Sequence, residues 1–224
     1  MRLTEEWRSR PSYLHYARMR YGRERILDKG TDIVIEGYPR SANTFAYEAF
    51  KRSNPGLRVA HHVHSVAQVL EAERLGVPCI VLVRDPRDAV PSWMVYEHCT
   101  ARAALQRWLS FHEPLLTRSG FVMANFGEVV ADLGSVVERV NAMYGSAFVA
   151  HTPDEVETHL IQESIRAQEH WQDDERRLPV PSATRAVLTS RARELLGAPE
   201  LSADLRRACV MWAQLMAYTY EGSR

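Results

Sequence analysis

Apolar positions along the chain fall into short unbroken runs, separated by stretches with helical spacing. Asp32 to Glu36 (DIVIE), closed by Gly37, reads as a buried strand. Leu57 to His61 and Phe121 to Asn125 are further strand candidates, and Pro78 to Val83 (PCIVLV) is the clearest strand of all. Between them the period lengthens. Residues 12–27 predict a helix with Tyr13, Tyr16, Ala17, Met19 and Ile26 facing inward. Thr44 to Arg52 predicts a helix ended by Asn54-Pro55-Gly56, and Ser65 to Leu75 one with Ser65 as N-cap and Gly76 as C-cap. Asp85-Pro86 opens another, in which Pro91 is expected to introduce a kink or an early end. Beyond residue 150, helices are predicted over 153–171, 183–196 and 202–220, with Arg176 to Thr184, holding Pro179 and Pro181, as a loop. Strands alternating with helices imply a three-layer α/β fold with a central parallel sheet and extra C-terminal helices. One domain is expected: an N-terminal helix over 1–30, an α/β core over 31–150 and a mainly helical part over 151–224.

Composition narrows the function classes. Formal net charge is zero across 224 residues, which argues against a general nucleic-acid surface. The cations are almost all arginine, the lysines being Lys29 and Lys51, and arginine suits bidentate contact with phosphate and sulfate. Cys79, Cys99 and Cys209 form neither a CxxC pair nor a disulfide framework, so a reducing, cytoplasmic setting is expected. The longest apolar run, Cys79 to Val83, is too short to span a bilayer.

Two segments that leave predicted strands carry unusual chemistry. The first is Gly37-Tyr38-Pro39-Arg40-Ser41-Ala42-Asn43-Thr44-Phe45. Between a strand and a helix, it directs free N–H groups and the positive helix end toward one point. Gly37 and Thr44 match the ends of the phosphate-loop pattern GxxxxGK[ST]; Ala42 stands at its second glycine and Asn43 at its lysine. The register is that of a nucleotide phosphate loop, which predicts a phosphate-loop-NTPase-like core. The missing lysine disfavours a triphosphate, and Arg40 can supply charge from another direction. The second segment runs from Val83 through Arg84-Asp85-Pro86-Arg87-Asp88 to Ser92 and Trp93. Arg84 at the strand end and Ser92 eight residues later can grip one phosphate, with Asp85 and Asp88 turned away or paired to Arg87.

Tyr-Pro-Arg-Ser-Ala-Asn-Thr-Phe resembles the 5′-phosphosulfate loop, Y-P-[KR]-S-G-[TN]-T-[WF], of sulfotransferases that use 3′-phosphoadenosine 5′-phosphosulfate (PAPS), and Arg84 with Ser92 resembles their 3′-phosphate motif. Ala42 departs from the usual glycine. The resemblance covers roughly residues 31–95. It implies PAPS as sulfuryl donor, with Arg40 and the backbone of Ser41, Ala42, Asn43, Thr44 and Phe45 on the phosphosulfate and Arg84 and Ser92 on the 3′-phosphate. The family's C-terminal glycine-rich segment is absent; Arg177, Ser182 or Arg185 can close over the nucleotide instead.

Ala60-His61-His62-Val63-His64-Ser65 lies between the two motifs. Transfer to an alcohol needs a base near neutral pH, and the family's K-T-H motif supplies a histidine here. One overlay makes His64 the base with His62 in the lysine position; counting back from Arg84 makes it His62. In an extended strand the two share a face. A zinc site is the rival reading, but no Cys or Glu has ligand spacing, so no metal is expected. His61, His112, His151, His159 and His170 read as structural or surface, Trp108, Trp171 and Trp212 as core, and Trp93 and Tyr96 as residues that can face an acceptor. The acceptor, a small molecule or glycan, is not identified by any motif. Two other readings compete: a nucleotide or small-molecule kinase with a modified phosphate loop, and a non-catalytic nucleotide-binding protein.

Overall fold

The computed structural model describes residues 5–8, 10–168, 174–177, 180 and 182–221. His170, Trp171, Pro179 and Pro181 lie outside the described residues. Strands β1 (Ile33–Gly37), β2 (Val59–His61), β3 (Cys79–Val83) and β4 (Val122–Asn125) form a parallel sheet of order β2-β1-β3-β4. The helices are α1 (Glu5–Arg8), α2 (Pro11–Tyr21), α3 (Asn43–Ser53), α4 (Val66–Leu75), α5 (Pro86–Glu97), α6 (Ala101–His112), α7 (Phe126–Ala131), α8 (Leu133–Tyr144), α9 (Glu155–Arg166), α10 (Ala183–Leu196) and α11 (Ser202–Glu221).

The strands are buried on both faces, and their period of two sorts the core into two layers. Val34, Val81 and Val83 face Val69 of α4, Val90 of α5, Trp108 of α6 and Leu215 of α11. Ile33, Ile35, Ile80 and Leu82 face the other way, onto Phe50 of α3, Val140 of α8 and Ile161 of α9. This is the three-layer α/β architecture expected from the sequence. After β1 the chain steps to β2, then returns across β1 to β3 and moves on to β4. The order therefore reverses between β1 and β3, and a crevice opens above their carboxyl ends. Gly37 pairs with Leu82 at that point, and a Cβ on Gly37 would stand 2.4 Å from the Leu82 carbonyl oxygen. Only glycine permits this approach.

The caps of α4 are as predicted: the Ser65 hydroxyl accepts from the Ala67 amide, and Gly76 adopts a left-handed φ of 66°. Four expectations need correction. The helix over 12–27 stops at Tyr21, because Gly22 at φ 91° breaks it and a 3₁₀ turn, Arg23–Arg25, follows. Met19 is 74% exposed rather than inward, while Tyr13, Ala17 and Ile26 are buried. Of the two outcomes expected at Pro91, the early end does not occur: α5 runs through it to Glu97. Burial of Val90, Pro91, Ser92 and Trp93 offsets the one amide that proline removes. Finally, α9 ends at Arg166 rather than 171.

Candidate functional site

Both predicted anion segments rise from the crevice between β1 and β3. In the first, Arg40 and Ala42 take left-handed backbone, at φ 71° and 69°. This costs a non-glycine residue about 1–2 kcal/mol each. Ala42 is the N-cap of α3, where its methyl group occupies a conformation that glycine adopts freely. Asn43 turns its side chain inward and donates from Nδ2 to the Tyr38 carbonyl at 3.0 Å. Standing where a phosphate loop has lysine, it braces the turn, leaving its backbone for ligand contact. The Ser41 hydroxyl is buried and bonds nothing among the described residues. A buried orphan hydroxyl at a helix N-terminus is the donor that an oxyanion would satisfy.

The second segment lies against the first. Arg84 donates to the Arg40 carbonyl at 2.9 Å, and its guanidinium stacks over the Phe126 ring with 4.1 Å to the centroid. The buried Ser92 hydroxyl accepts from Arg40 Nε at 3.2 Å and from Arg185 Nη2 at 2.8 Å. Arg40, Arg84, Arg185 and Ser92 thus form one cluster. Burial, followed by the charge of Arg185, pulls Arg40 down to about 9. Burial also lowers Arg84 and Arg185, with the Arg84 charge acting on Arg185. Cations that depress one another in a crevice mark a place prepared for an anion. Asp85 caps α5 and pairs with Arg87, as expected, whereas Asp88 pairs with Arg193 at 2.8 Å rather than with Arg87, and the charges of both acids act on Arg84. Ser182 caps α10, and the Arg177 carbonyl accepts from Arg40 Nη1 at 3.4 Å.

The histidine segment departs from the expected extended geometry. β2 ends at His61, and His62 and His64 are both left-handed, at φ 58° and 52°. The pleat therefore does not align them. The two left-handed turns bring their rings to 5.6 Å between centroids instead. His62 Nε2 lies 3.0 Å from the Thr44 hydroxyl, and His61 stacks on Tyr47 at 3.7 Å. His64 Nδ1 donates to the Gly37 carbonyl at 2.9 Å. This bond fixes the neutral tautomer and leaves Nε2 as the basic nitrogen. Burial pulls His64 down to about 4, so the ring is neutral at physiological pH.

Sequence reasoning missed the residue that holds this segment. Glu36, fully buried on β1, accepts from the Val63 amide at 2.7 Å and the His64 amide at 2.9 Å. Gln68 donates to the same carboxyl at 3.0 Å and in turn accepts from the Leu27 amide. Burial pushes Glu36 up to about 8, against the pull of those donors. A charged residue inside a five-residue apolar strand was the available signal, since buried carboxyls are kept only with partners.

A cavity of about 1040 Å³ joins these parts and is lined by Arg40, Thr44, His62, His64, Arg84 and Ser92 among others. It is at the upper end of single-ligand pockets, with room for a nucleotide and a second molecule. Trp93 and Tyr96, stacked at 5.1 Å, form part of its wall. Trp108 is buried and donates from Nε1 to the Arg84 carbonyl. Buried His112 packs against it, whereas His151 and His159 pair with Glu157 and Glu163 on the surface. Among the described residues no group of three or more His, Cys, Asp or Glu is placed to hold a metal ion, and no helix is long and apolar enough to cross a membrane.

The fold and this cavity define an α/β protein with two adjoining cationic loops at a sheet switch point. No family model matches the chain, and no curated protein matches it in sequence. Among solved structures it is similar to a crystal structure of a mouse sulfotransferase complexed with PAP, at 13% identity and a TM-score of 0.45, over 89% of this chain and 93% of that one. A likeness of this degree does not define an activity; the residues of the cavity carry that argument.

Proposed function

We propose that the protein transfers a sulfuryl group from PAPS to an acceptor hydroxyl. The observation that carries this reading is the meeting of Arg40 and Arg185 on the Ser92 hydroxyl, with Arg84 bonded to the Arg40 carbonyl beside the orphaned Ser41 hydroxyl. A cluster of cationic and hydroxyl donors contributed by two adjacent strand ends suits a ligand with more than one anionic group. Arg40, Ser41 and the amides of the first turn of α3, through Phe45, would hold the 5′-phosphosulfate; Arg84, Ser92 and Arg185 would hold the 3′-phosphate.

PAPS, when bound, supplies a sulfuryl group on a phosphate leaving group. His64 Nε2 takes the acceptor's proton as that hydroxyl oxygen bonds to sulfur. Arg40 and the N-terminus of α3 balance the charge left on the phosphate oxygen as the old sulfur–oxygen bond breaks. Most of the catalysis is positioning and charge stabilisation, as in phosphoryl transfer. His62, tied to Thr44, orients the segment and stands second as base.

The test is calorimetric. Adenosine 3′,5′-bisphosphate should bind much more tightly than adenosine 5′-monophosphate, and Arg84→Ala should remove most of the difference, about 2–4 kcal/mol for a lost charged contact. Equal affinity of the wild type for both nucleotides refutes the reading.

A further inference from the structure

The cavity does not end at His64. Beyond it the wall is built from four other segments, and each contributes an arginine: Arg8 of α1, Arg20 in the last turn of α2, Arg25 of the following 3₁₀ turn and Arg107 of α6. Three of the guanidinium groups lie over rings: Arg8 over Tyr13 and Arg20 over Tyr21, each at 5.5 Å to the centroid, and Arg107 over Trp93 at 4.9 Å. The ring contacts restrain these guanidinium groups, and Arg8 also donates from Nη1 to the Tyr13 hydroxyl at 3.1 Å.

Glu24, Glu48 and Glu97 also line the cavity; Glu24 and Glu48 are turned to other neighbours, and Glu97 is exposed at the end of α5. Glu24 folds back over Gly22, its carboxylate filling the space that a Cβ there would occupy. Glu48 accepts from Gln168 at 3.1 Å. Around the histidines the field is cationic. After burial, Arg25, His64 and Lys51 act on His61, and Arg107, Arg8 and Arg25 act on His64. Arginines this close to a general base weaken it, a cost that makes sense where an anion of the substrate offsets them.

We propose that the acceptor carries an anionic oxyacid group near the hydroxyl it presents to His64, and that Arg25 and Arg107, with Arg8, hold that group; this rests on the reading of the cavity as a sulfuryl-transfer site. Carboxylate, sulfate and phosphate share the geometry that a guanidinium fork recognises. A neutral acceptor packed on Trp93 and Tyr96 is the competing outcome.

The experiment measures binding of two matched pairs, methyl β-D-glucuronide against methyl β-D-glucoside and glucose 6-sulfate against glucose, to protein saturated with adenosine 3′,5′-bisphosphate and to protein alone. At least one charged probe should bind about tenfold more tightly than its neutral partner, a difference of about 1.4 kcal/mol. The pair that responds separates a carboxylated from a sulfated acceptor. Arg25→Gln and Arg107→Gln should each shrink the preference while leaving affinity for the bisphosphate unchanged, which also reports that the variants are folded. In the wild type, added salt should weaken the charged probe and spare the neutral one, a result that needs no variant. Equal affinity within both pairs, no binding by any of the four, or a preference that survives in both variants overturns the proposal. If the bisphosphate itself fails to bind, the donor assignment falls, and the sugars still decide this one on the protein alone.

Discussion

Two loops leave neighbouring parallel strands on the same side of the sheet, and they are held in different ways. The loop after β1 has Arg40 and Ala42 in left-handed backbone; the loop after β2 has His62 and His64. The first is local. It runs straight into α3, and its own Asn43 and Tyr38 brace it. The second has no helix to enter until Ser65, and its two amides are gathered by one carboxyl from another strand. The loop proposed to bind an anion is braced mainly from within, whereas the loop proposed to position a proton acceptor depends on a partner 27 and 28 residues away in the chain.

The sharpest break in the comparison is at His64. His64→Ala should lower kcat by about 10²–10⁴-fold, the usual worth of a general base, with affinity for adenosine 3′,5′-bisphosphate intact. His62→Ala should lose less, because its Nε2 is engaged by Thr44. A larger loss at His62 reverses the two roles. With His64 as the proposed base, the acidic limb of kcat/KM should lie below about pH 5, since burial holds its pKa near 4.

Removing the support rather than the base should cost less. Glu36→Gln leaves a backbone amide without an acceptor and should destabilise the protein by about 1–3 kcal/mol. Its pH signature is more telling. Burial holds His61 at about 3, His64 at about 4 and His112 at about 3, all below the ordinary value of 6.5. The unfolded chain therefore binds more protons below pH 6.5, and stability falls with acid by about 1.4 kcal/mol per pH unit for each histidine. Glu36 has the opposite sign. Its folded pKa of about 8 lies above the ordinary 4.5, so its contribution declines as pH rises between those values. Denaturant unfolding across pH should show greatest stability near 6.5 in the wild type. In Glu36→Gln the decline above that pH should flatten while the acid limb persists; an unchanged alkaline limb would mean that another group carries it.

The smallest effect tests the self-supporting loop. Ala42→Gly should relieve left-handed strain and raise stability by about 1 kcal/mol, with nucleotide affinity retained. Lower stability would show that packing of the Ala42 methyl group against the α3 side of the core outweighs the strain.

The same contrast explains what could be read from the chain. Strand β3 and the caps of α4 announce themselves through an unbroken apolar run, a serine and a glycine, which act over a few residues. The loop after β1 carries a recognisable register for the same reason. The histidine loop does not: an H-x-H string gives no local reason for two left-handed turns, and its geometry comes from Glu36 and the Gly37 carbonyl. Met19 has the spacing of an inward residue, but α2 packs through Tyr13 and Ala17 and turns it to solvent. Helix α6, whose Thr100 cap the sequence reading passed over, holds Trp108 against the Arg84 carbonyl.

The close approach at Gly37 has one more consequence. Both cationic loops begin within a residue or so of the point where the main chains of β1 and β3 touch, with no side chain between them. The gap between the loops is therefore a fixed peptide dimension, a ruler cut into the backbone. Side-chain drift can change how firmly each end of the proposed two-headed ligand would be gripped, but not the span that it would have to match. Only a residue larger than glycine at position 37, forcing the strands apart, would change that measure.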